Sequence, residues 1–83
     1  EASQKARSIL AALGGVSNVK LVEACAETRL RVTLEDESML DESALQTAGV
    51  NAIMHFKEGV SHLLLGLDAD QYAAEMQDAL HLG

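Results

Sequence analysis

The chain has 83 residues, 48% of them hydrophobic, which is enough for one modest core and leaves no room for a second domain. The formal net charge is −7 with only six Lys and Arg, which excludes a nucleic-acid surface because phosphate-backbone binding needs clustered basic side chains. The few positively charged side chains are therefore expected to act at a local site and not over an extended surface.

The N-terminal segment predicts a helix followed by a short strand. Gly14-Gly15 supplies the C-terminal stop of the helix, since glycine adopts the conformation that ends helices without steric cost. Residues 19–24 then read as a strand. The apolar side chains that share one stripe of the predicted helix are Ala2, Ala6, Ile9, Leu10 and Leu13.

Residues 28–34 predict a second strand because apolar and polar residues alternate along them. Leu30, Val32 and Leu34 occupy one face. Arg29 and Arg31 occupy the other, so both arginines are expected to point away from the core.

The second half of the chain repeats this pattern. The acidic run at 35–38 predicts a turn, and Asp41 is suited to cap a short helix that ends near Gly49. Residues 50–56 and 60–65 predict two strands joined by a tight turn. A last helix follows Asp68, with a buried stripe formed by Tyr72, Ala73, Met76, Ala79 and Leu80.

The element order is therefore α-β-β-α-β-β-α. Two hairpins joined by a helix predict an α+β fold, a four-stranded antiparallel sheet with three helices on one face. Residues 1–83 form a single domain in this interpretation. Because the chain does not begin with Met and its first residues already look helical, we expect it to be a piece of a longer polypeptide.

Cys25, the one cysteine, stands shortly before the strand that carries Arg29 and Arg31. Guanidinium groups near a thiol favour its charged form, and the thiolate is the nucleophile. The planar guanidinium also matches phosphate oxygens. These residues, with the hydroxyl of Thr28, predict a nucleophile that handles a phosphoryl group. There are also structural alternatives without chemistry. Cys25 could be a buried packing residue, and the arginines could form ion pairs with Glu23 or Glu27.

Four stretches of the first half of the chain form a pattern: the run at 9–15, Asn18-Val19, Ala24-Cys25 and the Thr-Arg-Leu-Arg-Val run at 28–32. On these stretches mainly, the sequence resembles the IIB domain of the glucose and N-acetylglucosamine class of the bacterial sugar phosphotransferase system. The resemblance runs through nearly the whole chain.

The resemblance implies that Cys25 accepts a phosphoryl group from a histidine of a IIA domain and passes it to a sugar held by a IIC membrane domain. Thr28, Arg29 and Arg31 would bind that group. The family fold agrees with the order derived above. No cofactor and no metal are implied, and the identity of the sugar is not readable from this domain.

One departure from the family pattern bears on the nucleophile. The family has Cys-x-Thr-Arg-Leu-Arg, whereas Cys25 is separated from Thr28 by both Ala26 and Glu27. Alignment on the arginines without a gap puts Ala26 at the nucleophile position. Alignment from Asn18-Val19 keeps Cys25 and places one extra residue in the turn. A IIB-like module without catalysis, with a structural or regulatory role, is therefore the first alternative. An unrelated small α+β binding domain is the second.

Composition bears on the compartment of the domain. A lone cysteine favours a reducing compartment, and no apolar run approaches the roughly 18 residues that span a bilayer. The resemblance further implies a soluble domain of a membrane protein, at the cytoplasmic face of the bacterial inner membrane. His55, His62 and His81 have no ligand spacing with Cys25, so zinc is not expected, and the two strand histidines are interpreted as structural or exposed.

Overall fold

Three helices and four strands follow one another in the predicted order. The computed structural model describes residues 3–82, so the predicted contribution of Ala2 to the first helix lies outside the described residues. The elements are α1 (Gln4–Ala12), β1 (Val19–Ala26), β2 (Arg29–Leu34), α2 (Glu42–Thr47), β3 (Ala52–His55), β4 (Val60–Leu64) and α3 (Ala69–Leu82). Short 3₁₀ turns at Val16–Asn18 and Glu37–Met39 flank the first hairpin.

The predicted helix boundaries have physical causes in the structure. Ser3 caps α1 by accepting a hydrogen bond from the Ala6 amide at 3.2 Å. Gly14, with φ 104°, follows the last residues of the helix, and the Gly15 amide bonds to the Leu10 carbonyl at 2.9 Å. Asp41 caps α2 as predicted, accepting from the Ala44 amide at 3.0 Å. These local bonds satisfy backbone groups that the helices leave unpaired.

The four strands form one antiparallel sheet in the order β1-β2-β4-β3. The two hairpins therefore meet through β2 and β4, which become the central strands. The register aligns four residues in one row across the sheet: Glu23, Arg31, His62 and Met54. This row contains one residue from each of the four strands.

All three helices cover one face of the sheet, as predicted. Leu30, Val32 and Leu63 point toward the helices and are fully buried, and Met76 of α3 is fully buried in the same core. The opposite face, which carries the arginines of β2, has no helix over it among the described residues. Whatever this face binds can therefore approach the strands directly.

The edge strand β1 has two irregularities in its pairing with β2. The register shifts between Val19 and Leu21, and again between Ala24 and Ala26. At the second shift Ala24 pairs with Leu30 and Ala26 pairs with Arg29, which leaves Cys25 as an additional residue on β1. The strand predicted to end at Ala24 therefore continues to Ala26, with Cys25 at a β-bulge.

Candidate active site

Cys25 lies on the bulge of β1 and is exposed. Its Sγ is 3.9 Å from Nδ1 of His62 on β4, two strands away in the sheet. A bulge bends its strand and changes the direction of the side chain it carries. The alignment that keeps Cys25 predicted one extra residue in the turn, and this prediction is wrong. The turn consists of Glu27 and Thr28, and the sheet absorbs the additional residue at Cys25.

Arg29 and Arg31 lie on the uncovered face of β2, as the alternation predicted. Arg31 donates to the carboxylate of Glu23, its partner across the β1–β2 pair, and both side chains are partly exposed. Arg29 is partly buried, and its Nε is buried with no hydrogen-bond partner. Among residues 3–82 no acidic side chain pairs with Arg29, so its guanidinium is the one available to an incoming anion.

Thr28 sits in the turn between β1 and β2 and is exposed. Its carbonyl accepts a hydrogen bond from the Leu65 amide at 2.8 Å, which ties the turn to the end of β4. The turn therefore stands at the same end of the sheet as Cys25 and Arg29. The structure brings the four predicted site residues to one end of the uncovered face.

His62 is the site residue that the sequence did not reveal. Besides its contact with Cys25, its ring packs against Phe56, with 4.5 Å between the ring centroids. Burial lowers the pKa of His62, and the nearby positive charges of Arg29 and Arg31 lower that pKa further. The imidazole is therefore neutral at neutral pH, and one of its ring nitrogens is a hydrogen-bond acceptor.

Removing the charge of Arg29 is expected to raise the pKa of His62, because a neighbouring cation disfavours the imidazolium form. An NMR titration of the His62 ring in wild type and in Arg29→Ala measures this shift. Lys20→Ala is the matched control, since it removes one positive charge at the other end of β1, beside Glu35. An unchanged His62 pKa in Arg29→Ala would contradict this arrangement of charges.

The chemistry of the site is that of a thiol beside cations and a neutral base. Within the described part of the chain, no group of three or more His, Cys, Asp or Glu side chains is placed to hold a metal ion. A thiol, a neutral imidazole and two guanidinium groups can bind an anionic group and attack it. The arrangement therefore favours transfer of an anionic group to sulfur.

Comparison with known proteins gives two kinds of match. The family model for the phosphotransferase system, EIIB, matches residues 7–41. The PTS system N-acetylglucosamine-specific EIIB component of Streptomyces coelicolor is 36% identical over 78 residues, which cover 94% of this chain and 99% of that protein. The chain belongs to the EIIB family of the phosphotransferase system. The matched segment of the family model includes Cys25, Thr28 and both arginines of the site.

Longer relatives contain the EIIB unit as one part. The N-acetylglucosamine-specific EIICBA component of Klebsiella pneumoniae is 30% identical over 98% of this chain, which spans 12% of that protein. The alpha-glucoside-specific EIICB component of Leptotrichia buccalis is 33% identical over the whole chain, which spans 16% of that protein.

A solved structure has the same fold. One domain of the PTS system IIabc component from Clostridium difficile superposes with a TM-score of 0.68, at 24% identity, over 89% of this chain and 78% of that one. No helix within residues 3–82 is long and apolar enough to cross a membrane.

Proposed function

We propose that this EIIB domain carries a phosphoryl group on Cys25 during uptake of a sugar. The group comes from a phosphohistidine of a IIA domain and passes to a sugar held by a IIC domain. The observation that supports this most directly is the shared location of Cys25, Arg29 and Arg31 on the uncovered face of the sheet. Membership of the EIIB family supports the same reaction class.

The proposed transfer assigns a role to each site residue. The sulfur of Cys25 forms a bond to phosphorus as the P–N bond of the donor histidine breaks, and the electron pair of that bond stays on the nitrogen. Arg29 and Arg31 stabilise the equatorial oxygens, where negative charge is spread in the transition state. Thr28 supplies a hydroxyl donor from the turn. In the second transfer the sulfur of Cys25 is the leaving group. The S–P bond breaks as the oxygen of the sugar hydroxyl forms its bond to phosphorus and loses its proton to solvent.

The names of the longer relatives support the partners of the proposed reaction. The Klebsiella protein is named as an EIICBA component and the Leptotrichia protein as an EIICB component, so both names join a B unit to a C unit. We therefore propose that this domain works beside IIA and IIC domains, as one domain of a larger transporter polypeptide at the cytoplasmic face of the membrane. The relatives' names support a sugar of the glucose and N-acetylglucosamine class.

Intact mass spectrometry tests the proposal. The domain is incubated with phosphoenolpyruvate, the general phosphotransferase proteins and a matching IIA domain, and one added phosphoryl group is expected. The modification should be absent from Cys25→Ser. If an established IIB domain in the same mixture is labelled while this one is not, the chain is a IIB module without catalysis.

A second pair of substitutions tests the position of the nucleophile. Combining Cys25→Ser with Ala26→Cys moves the thiol to the position that an ungapped alignment on the arginines would give. This variant is expected to remain unphosphorylated, because Ala26 pairs directly with Arg29 and lies beyond the bulge that brings Cys25 to His62. Phosphorylation of the double variant at a rate equal to wild type would show that the bulge is not needed.

A further inference from the structure

His62 is the only side chain of the other hairpin recorded within hydrogen-bonding distance of the Cys25 sulfur among the described residues. The two residues are far apart in sequence and lie on strands separated by β2. The Cys25 and His62 side chains therefore reach each other across β2. The bulge changes the direction of the Cys25 side chain, and the Phe56 ring packs against the His62 ring from the other side.

The charged groups around His62 decide what the ring can do. Arg29 and Arg31 face it from β2, and Glu23 of β1 lies in the same row but is engaged by Arg31. On the neighbouring strand β3, Met54 pairs with His62. Phe56, the residue after β3, packs its ring against the His62 ring. None of these faces it with an unpaired carboxylate. The imidazole is therefore held neutral and can accept a proton at Nδ1.

We propose that His62 accepts the thiol proton of Cys25 at Nδ1 as the sulfur attacks phosphorus. This inference rests on the proposed function of Cys25. The S–H bond breaks and its proton passes to His62, the S–P bond forms, and the P–N bond of the donor breaks with its electron pair left on nitrogen. The donor imidazole then takes a proton from solvent, and His62 releases one to solvent, so protons balance over the step.

The environment of His62 fits a side chain that takes up a proton and then releases it. Burial and the positive charges of Arg29 and Arg31 disfavour the imidazolium, so His62 returns to its neutral, accepting form after the transfer. The distance of 3.9 Å is long for proton transfer, and catalytic hydrogen bonds commonly shorten when the substrate complex forms.

Alkylation of Cys25 by iodoacetamide tests the inference without any phosphoryl transfer. The chain contains one cysteine, so the rate reports this thiol alone. Rates are measured across roughly pH 5 to pH 9 in wild type and His62→Gln, because glutamine keeps a hydrogen-bonding side chain and cannot take up the proton. At neutral pH we expect alkylation of His62→Gln to be roughly tenfold slower, which is below the roughly 100-fold to 10,000-fold that a positioned base usually contributes.

The pH dependence of the alkylation rate distinguishes proton transfer to His62 from a role of His62 in packing alone. The wild-type rate should depend on two titrating groups, and the His62→Gln rate on one. His55→Gln is the matched control, because His55 lies on β3 and contacts Ser61 and Glu42 instead of Cys25. Circular dichroism of each variant verifies folding, and His62→Asn replaces His62→Gln if that variant is unfolded.

The outcomes distinguish this inference from the function on which it rests. A folded His62→Gln or His62→Asn domain with wild-type rates and a wild-type profile overturns the role of His62, whether or not Cys25 is phosphorylated. If the profile changes as expected but wild type accepts no phosphoryl group from IIA, the proposed function fails while the coupling of the two side chains stands. When the phosphoryl transfer to Cys25 and the role of His62 are both supported, phosphoryl transfer to His62→Gln should slow by a factor similar to that for alkylation.

Discussion

Replacing Arg29 by alanine is expected to slow phosphoryl transfer to Cys25 by a factor of about 100 to 1,000, the usual cost of losing one preorganised donor to a transition-state oxygen. The structure favours Arg29 over Arg31 for this role. The Arg29 guanidinium has no acidic partner within residues 3–82 and its Nε is buried and unbonded, whereas Arg31 is held by Glu23. Rapid-quench measurement of phosphoryl transfer from phosphorylated IIA gives the rate.

Two variants define what Arg29 contributes. Arg29→Lys keeps the charge but loses the planar pair of donors, and it should recover only part of the rate. Arg31→Ala should slow transfer less than Arg29→Ala, because Arg31 already donates to Glu23. The opposite order of the two alanine variants would show that the incoming phosphoryl group displaces Glu23 and uses Arg31 as its main partner.

Replacing Leu63 by alanine is expected to lower the free energy of unfolding by about 2 to 5 kcal/mol, the usual range for Leu→Ala in a core. Leu63 is fully buried on the central strand β4, where it pairs with Leu30 of β2 and with Ile53 of β3. Truncation leaves a cavity between the sheet and the helices, and a domain of this size has little stability to spare. Urea denaturation followed by circular dichroism measures the change.

Leu67→Ala is the matched control for this loss. The same atoms are removed there, but Leu67 is 80% exposed in the segment after β4, so the change in stability should stay within about 0.5 kcal/mol. Equal effects at the two positions would mean that β4 does not face the helices as described. Because Leu63 neighbours His62 in sequence, phosphoryl transfer is compared only under conditions where both variants are fully folded.

The elements and the class of the fold could be predicted because their signals are local. Alternation of apolar residues along β2 identified its buried face. Gly14-Gly15 and Asp41 marked helix boundaries through hydrogen bonds to near neighbours, from the Gly15 amide and to the Asp41 carboxylate. The pairing of β2 with β4 could not be predicted in the same way. Either strand of the second hairpin would satisfy the hydrophobic pattern, and the choice depends on how the helices pack.

The proximity of some of the candidate site residues could be predicted for a related reason. Cys25, Thr28, Arg29 and Arg31 are close in sequence, so the first hairpin alone gathers them. His62 comes from the other hairpin, and its position beside Cys25 depends on the β2–β4 register and on the bulge. The alternation along β4, with Ser61 and Leu63 buried, was a signal that His62 faces the same side as the arginines. That signal becomes usable only when the strand order is known.

The bulge lies on a strand with only one neighbour, and this has a consequence for how such sites change over time. An insertion in β2 would shift both arginines against β1 and β4 together. An insertion near the end of β1 disturbs one pairing, while Glu23 still opposes Arg31 and Arg31 still opposes His62. The strand that carries the thiol can therefore gain a residue while the row of Glu23, Arg31, His62 and Met54 keeps its pairing, so the spacing between the thiol and the arginines is free to drift in evolution.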